Sequence, residues 1–189
     1  MKEFGAVADI PLIHAPHGID IDLFDRKPEY RDELIVGING SVASPGKKGF
    51  NIVSKACEIV GLKYVSSPQK KGGGHLTKEE MPKFYEDIVI YCNMSRSEGC
   101  NNSIMEAGGM GKMVIATPVG AVPEIIEDYK TGFLCDRSVD CLVEKLKECI
   151  NNRDILKTCG HNLHDKILDE WGWDTRIDSY KNLFREILK

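Results

Sequence analysis

Two carboxylates, Glu98 and Glu106, flank a predicted helix start that is rich in small and amide side chains. Asn101, Asn102 and Ser103 are all residue types that favour the N-cap position of a helix. The free backbone N–H groups of a helix start attract a phosphate or a sugar oxygen, and carboxylates beside them can bind sugar hydroxyls. A site for a nucleotide-linked sugar needs both kinds of group, and residues 95–124 bring them together in sequence.

Glu106 also has an interpretation that needs no ligand. Residues 103–106, Ser-Ile-Met-Glu, fit the S-x-x-E capping box, in which the Glu106 side chain turns back to the Ser103 amide. The local sequence favours this interpretation at least as much as ligand binding, so both stay open. They predict different results for Glu106→Gln: weaker nucleotide binding at an almost unchanged melting temperature, or slightly lower stability at unchanged affinity.

The elements that must position these residues alternate between strand-like and helix-like segments. An apolar run at 88–91 predicts a buried strand, and the polar segment 93–101 predicts a loop at its carboxyl end, where open parallel sheets bind ligands. Further strands are predicted at 11–14, 34–38, 62–65, 113–116 and 131–135, with an irregular stretch at 15–31. Helices are predicted at 48–60, 77–85, from 102 toward 111, and at 123–127, 139–151, 153–168 and 173–188. This order predicts an α/β fold, a Rossmann-like doubly wound parallel sheet with a helical C-terminal tail, in one domain over 1–189.

Composition narrows the class of protein. The chain has 189 residues, 42% of them hydrophobic, and a net charge of −4, which argues against nucleic acid as a partner. Its seven cysteines show no C-x-x-C pairing, which favours a reducing, cytoplasmic location. No apolar stretch reaches membrane-spanning length, although a larger parent protein could still associate peripherally with a membrane.

Six motifs, taken in order, resemble the C-terminal, donor-binding half of GT-B glycosyltransferases of family 4 (group 1). They are the His14–Phe24 segment, the glycine loop 40–50 ending in Lys48-Gly49, the helix at 79–85, the E-x7-E segment from Glu98 to Glu106, the stretch 114–124, and Thr131-Gly132. Trp173 and the Tyr180 and Phe184 tail are similar to the closing helix of that family. The resemblance covers nearly the whole chain.

The resemblance implies a role for each matching residue. Glu106 would accept hydrogen bonds from the ribose hydroxyls of a nucleoside diphosphate sugar. Glu98, the implied catalytic residue, would bind hydroxyls of the transferred sugar and help position its anomeric carbon. Lys48 would contact the diphosphate, so that a retaining transferase of this type needs neither a metal ion nor another cofactor. The remaining donor-binding positions that the resemblance implies are Gly40, Gly49, Gly99, Cys100, Asn101, Asn102 and Ser103.

The chain departs from the family pattern at three places. No Arg follows Gly40, where the family usually carries one; Lys47, Arg96 or a lysine of the 69–75 loop would have to replace it. Cys100-Asn101 stands where an aromatic residue or proline is common. The family's N-terminal acceptor-binding domain has no counterpart here, so we expect inefficient transfer by this chain alone. A non-catalytic nucleotide-sugar binding module and a sugar-nucleotide epimerase relative are the alternatives.

Overall fold

The computed structural model describes residues 14–39, 46, 48–67 and 76–188. Within these residues five parallel strands form one sheet: β1 (Ile35–Ile38), β2 (Lys63–Ser66), β3 (Ile90–Asn93), β4 (Met113–Ala116) and β5 (Phe133–Leu134). Their order in the sheet is β2-β1-β3-β4-β5. Val36 pairs with Tyr64 on one side and with Ile90 on the other, so chain order reverses direction between β1 and β3. Parallel α/β sheets bind ligands at such a switch point, beyond the carboxyl ends of the strands.

Helices cover both faces of this sheet, as the predicted alternation requires. They are α1 (Ile21–Phe24), α2 (Phe50–Val60), α3 (Met81–Glu86), α4 (Asn102–Gly109), α5 (Val122–Ile125), α6 (Val139–Asn151), α7 (Arg153–Glu170) and α8 (Trp173–Ile187). The predicted doubly wound α/β fold with a helical C-terminal tail is confirmed. The short helix α1 lies inside the stretch that the sequence analysis treats as irregular. The strand predicted at 11–14 falls mostly outside the described residues, and His14 is not part of a strand.

Side-chain oxygens begin three of the helices. Ser138 accepts a hydrogen bond from the Cys141 amide at the start of α6, and Asn152 accepts one from Ile155 at the start of α7. A capping box at 77–80 begins the helix predicted at 77–85: the Thr77 amide donates to Glu80 Oε2 at 2.7 Å, and one 3-10 turn (Lys78–Glu80) leads into α3. These caps satisfy N–H groups that have no partner inside the helix.

The sheet is buried on both faces. Every residue of β3 and β4 is buried, and alternate residues belong to different clusters: Ile90 and Ile115 pack with α2 and α6, whereas Tyr91 and Val114 pack with α3, α4 and α7. Continuous apolar strands of this kind are expected where helices cover both faces of a parallel sheet. Within the described ranges, no helix is long and apolar enough to cross a bilayer.

Candidate donor-binding site

The switch point brings the predicted site residues together. Lys48 and Gly49 follow β1, and the segment from Glu98 to Ser103 follows β3, so both loops lie at the carboxyl edge of neighbouring strands. Fifty residues separate Lys48 from Glu98 along the chain, yet their side chains are in contact. Gly40 lies outside the described residues.

Glu98 is held by two donors on one oxygen. The Lys48 ammonium and the Ser95 hydroxyl both contact Glu98 Oε1, each at 2.5 Å. The Glu98 side chain is 12% exposed and that of Lys48 is 34% exposed, so the carboxylate is largely withdrawn from water whereas the ammonium end remains partly exposed. Neither contact uses Oε2, and within the described residues no hydrogen bond to this oxygen is found, so it can accept from a ligand hydroxyl. Ser95 is a site residue that the sequence analysis missed.

Gly49 fixes the place where the Lys48 loop turns into α2. Its φ is 75°, in the left-handed region, and its carbonyl accepts the first helical hydrogen bonds from Ile52 and Val53 at 3.0 Å. A Cβ at this position would overlap the backbone and Cβ of Met94, directly after β3. The close approach of Gly49 to Met94 brings the loop that carries Lys48 into contact with the loop that carries Glu98.

Glu106 faces a polar cleft and does not form the capping box. Helix α4 begins at Asn102, so Ser103 already lies inside the helix and cannot act as its N-cap. The Tyr85 hydroxyl instead donates to Glu106 Oε2 at 2.8 Å. Burial raises the pKa of Glu106, while the Tyr85 hydrogen bond and the charge of Lys78 act in the opposite direction. The capping-box interpretation of Glu106 is therefore wrong.

The cleft beside Glu106 has a volume of about 380 Å³ and polar walls. Asn39 connects three of its walls: its Nδ2 donates to Ser103 Oγ at 2.7 Å, and its Oδ1 accepts from Ser67 Oγ at 2.8 Å. The lining residues are Asn39, Ser67, Leu76, Lys78, Met81, Asn102, Ser103 and Glu106. The sequence analysis did not assign Asn39 or Ser67 to the site. Their positions directly after β1 and β2 were the signal that could have found them.

The residues between Glu98 and Glu106 differ in their exposure and in their hydrogen bonds. Gly99 is exposed, and its carbonyl accepts a hydrogen bond from the Ala121 amide at 2.9 Å, which ties the loop to the segment after β4. His17 Nε2 lies 3.3 Å from the Cys100 carbonyl oxygen. Asn101 is the N-cap residue of α4 and is 4% exposed, and Asn102 is exposed at the first position of the helix.

Arg137 connects the two site loops by donating hydrogen bonds to a backbone carbonyl of each. Its Nε donates to the Met94 carbonyl at 2.8 Å, and its Nη2 donates to the Gly46 carbonyl at 2.6 Å. Its guanidinium thus donates to one carbonyl on the segment that leads to Lys48 and to one on the segment that leads to Glu98. Of the side chains considered as substitutes for the missing Arg, Arg96 is exposed, and Lys47 and the 69–75 loop lie outside the described residues.

Metal ligation finds no support in the described ranges 14–39, 46, 48–67 and 76–188. No group of three or more His, Cys, Asp or Glu side chains lies there with the spacing that could hold an ion. Among the described residues, the Lys48 ammonium and the Glu98 carboxylate form an ion pair at the switch point. Such a pair can bind an anion and a hydroxyl side by side.

Curated relatives of this chain are glycosyltransferases. It is 30% identical over 115 residues to an uncharacterized glycosyltransferase of Methanocaldococcus jannaschii, a match covering 60% of this chain and 32% of that protein. It is 27% identical over 110 residues to the GDP-mannose-dependent alpha-(1-6)-phosphatidylinositol monomannoside mannosyltransferase of Mycobacterium tuberculosis, covering 54% of this chain and 29% of that protein. The chain therefore matches about a third of the length of these relatives.

Solved structures share the fold at low sequence identity. Sucrose-phosphate synthase from Thermosynechococcus elongatus superposes with a TM-score of 0.81 at 17% identity, over 92% of this chain and 52% of that one. Anabaena HepE in complex with UDP superposes with a TM-score of 0.72 at 17% identity, over 89% of this chain and 56% of that one. The family model for glycosyl transferases group 1 matches residues 41–152, more than half of the chain. This chain thus belongs to the group 1 glycosyl transferases and has the fold of a GT-B domain.

Proposed function

We propose that this chain is the donor-binding half of a retaining glycosyltransferase, which moves a sugar from a nucleoside diphosphate sugar to an acceptor. The observation that supports it best is the contact of Lys48 and Ser95 with one oxygen of Glu98, beside the start of α4 and at the switch point of the sheet. A cation, a carboxylate that the described residues engage at one oxygen, and a helix start together match the diphosphate and the hydroxyls of such a donor.

Lys48 and Glu98 exchange partners when the donor binds. In the structure the ammonium charge is shared with the Glu98 carboxylate. A diphosphate that enters between the loops attracts Lys48 more strongly than one carboxylate does, because it carries more negative charge within the same distance. Glu98 then turns its oxygens to the hydroxyls of the transferred sugar. Lys48 offsets the charge that grows on the leaving nucleoside diphosphate, so the proposal needs no metal ion.

Glu106 binds the ribose. Its Oε2 already accepts from Tyr85, and its remaining lone pairs face the cleft that Asn39 and Ser103 line. A carboxylate with two oxygens can accept from both ribose hydroxyls at once. Burial raises the pKa of Glu106, and hydrogen bonds from ribose hydroxyls would stabilise its charged form.

The acceptor lies on a second, N-terminal domain in this proposal. The solved structures named above are about twice as long as the part that this chain covers, which leaves room for such a domain in them. Much of the rate of group transfer comes from holding two reactants together. The 189-residue chain is therefore expected to bind its donor and to transfer sugar only weakly.

A non-catalytic binding module is the second candidate, because no Arg follows Gly40. An arginine at this position would supply a charge-assisted contact to phosphate worth about 1.5–3 kcal/mol. If Lys48 alone holds the diphosphate, the site can bind a donor without driving turnover. Binding accompanied by neither transfer nor donor hydrolysis, measured with the acceptor domain present, would favour this candidate.

The test is a calorimetric titration of the protein with UDP, GDP and ADP. UDP and GDP are included because the Anabaena structure contains UDP and the mycobacterial relative depends on GDP-mannose. We expect saturable binding of one nucleotide, weakened by Glu106→Gln. Glu58→Gln is the matched control, since Glu58 is exposed on α2 outside the site. Equal affinity of both variants, or no binding of any nucleotide, would refute the proposal.

A further inference from the structure

Two thiols meet at the junction between β5 and α6. Cys135 directly follows β5, Cys141 is the third residue of α6, and their sulfur atoms are 2.8 Å apart. Cys135 is 2% exposed, and Cys141 is half-buried. Across the described part of the chain, this is the one hydrogen bond that joins two sulfur atoms.

We propose that Cys135 and Cys141 form a reversible disulfide that locks the turn carrying Arg137. The sulfur atoms must approach each other by less than about 1 Å to reach bonding distance, so disulfide formation requires only a small movement of the surrounding backbone. The two residues lie six positions apart, and the disulfide closes one short loop. In a reducing compartment such a bond is transient and responds to oxidant, as redox-sensing disulfides do.

The oxidant in this proposal is a small-molecule disulfide of the glutathione type. The more accessible sulfur, on Cys141, attacks it as the thiolate and displaces one thiolate, which leaves a mixed disulfide on Cys141. Cys135 then attacks Cys141 Sγ, which forms the Cys135–Cys141 bond and breaks the bond to the small molecule, and the Cys135 proton passes to the second small thiolate as it leaves. Two cysteine thiols lose two electrons, the small disulfide gains them, and the two cysteine protons end on the two released thiols.

Burial decides the order of the two steps. It raises the pKa of Cys135 well above the ordinary thiol value, and the neighbouring Cys141 acts in the same direction. Cys135 therefore stays a thiol near neutral pH, donating to the Asp136 carbonyl at 3.2 Å. It reacts only once Cys141 carries a leaving group within contact distance.

The locked turn reaches the candidate site through Arg137. That side chain lies between the two cysteines in sequence and holds the Met94 and Gly46 carbonyls, one on each site loop. A disulfide between residues 135 and 141 restricts the movement of Arg137. It therefore favours the conformation in which Arg137 is hydrogen-bonded to both site loops. The effect on nucleotide binding rests on the proposed function, whereas formation of the disulfide does not.

The test equilibrates the reduced protein with buffers of increasing oxidised-to-reduced glutathione ratio. Peptide mapping by mass spectrometry should identify a Cys135–Cys141 link, and the melting temperature should rise by about 5–10 °C, reversibly with dithiothreitol. Cys141→Ser should not respond. Cys149→Ala, a buried cysteine on the same helix, should respond like the natural sequence.

The outcomes separate the two proposals. A different pairing, no intramolecular disulfide, or a lower melting temperature on oxidation would overturn the lock. We expect the oxidised protein to bind nucleoside diphosphate at least as tightly as the reduced protein, and loss of binding on oxidation would also overturn it. Absence of nucleotide binding in both forms, with the disulfide present, would instead refute the donor site.

Discussion

Gly49→Ala should damage both the fold and the site, whereas Gly61→Ala should affect stability alone. The two glycines bound the same helix, α2, and have nearly equal φ angles of 75° and 72°. They differ in their surroundings, because a Cβ on Gly49 would overlap Met94 and a Cβ on Gly61 would meet no atom within 4 Å. Comparing the two variants therefore separates the free-energy cost of a side chain on left-handed backbone from the cost of overlap with Met94, where the two site loops meet.

The magnitudes follow from those two terms. A side chain in the left-handed region costs about 1–2 kcal/mol, and both variants incur that cost. Forcing a methyl group into a packed contact adds about 1–3 kcal/mol, and only Gly49→Ala incurs it. We therefore expect about 1–2 kcal/mol of destabilisation for Gly61→Ala and about 2–5 kcal/mol for Gly49→Ala.

Urea unfolding followed by circular dichroism measures both variants, and calorimetry measures their affinity for the nucleotide that the natural sequence binds. Gly49→Ala should also weaken nucleotide binding, because moving Met94 away displaces the loop that carries Glu98 relative to Lys48. Gly61→Ala should bind as the natural sequence does. Equal destabilisation by the two substitutions would refute the argument that Gly49 joins the loops.

Three further predictions concern charge at the site. Because the pKa of Glu106 is raised in the folded state, its stabilising contribution is complete below its ordinary value of 4.5 and is lost as pH rises through the folded value; Glu106→Gln should therefore gain in relative stability between pH 4 and pH 8 in thermal melts. A double-mutant cycle of Lys48→Met and Glu98→Gln should give a coupling energy of about 1–2 kcal/mol, between the values for exposed and buried pairs, because Lys48 is partly exposed. EDTA should leave nucleotide binding unchanged, since Lys48 supplies the cation.

Each of these predictions can fail separately. A relative stability of Glu106→Gln that does not depend on pH would show that burial does not perturb this carboxyl group. A coupling energy near zero would mean that Lys48 and Glu98 do not stabilise each other in solution. Loss of nucleotide binding in EDTA, restored by Mg²⁺, would contradict the metal-free proposal. Glu58→Gln serves as the control in the melts, because it removes an exposed carboxylate from the same protein.

Elements with unambiguous local signals were predicted to the residue. Strand β4 and helix α6 have the predicted bounds, 113–116 and 139–151, because one is a pure apolar run and the other begins at a serine cap. Strand β3 lies two residues beyond the predicted 88–91. Ile88 and Val89 are buried before the strand begins, and Asn93 belongs to the strand although it is polar. Around β3, the buried apolar residues and the residues paired in the sheet are therefore not the same set.

The site was harder to predict where its contacts join distant segments. The local sequence places Glu98 and Glu106 around the loop and helix start that follow β3, whereas Lys48 is predicted only through the family resemblance. The structure places all three at the switch point. The partner of Glu106 is Tyr85, 21 residues away, and only the packing of α3 against α4 brings it near. The local S-x-x-E pattern gave the wrong partner because capping depends on where the helix begins, and that is set by tertiary contacts.

The most direct test of the donor site is a crystal structure of this protein with the nucleoside diphosphate that it binds in solution. We predict ribose hydroxyls within hydrogen-bond distance of the Glu106 carboxylate, and the diphosphate at Lys48 Nζ with the Lys48–Glu98 contact broken. A nucleotide bound elsewhere, or one that leaves Lys48 on Glu98 and Glu106 unoccupied, would contradict the assignment of this site.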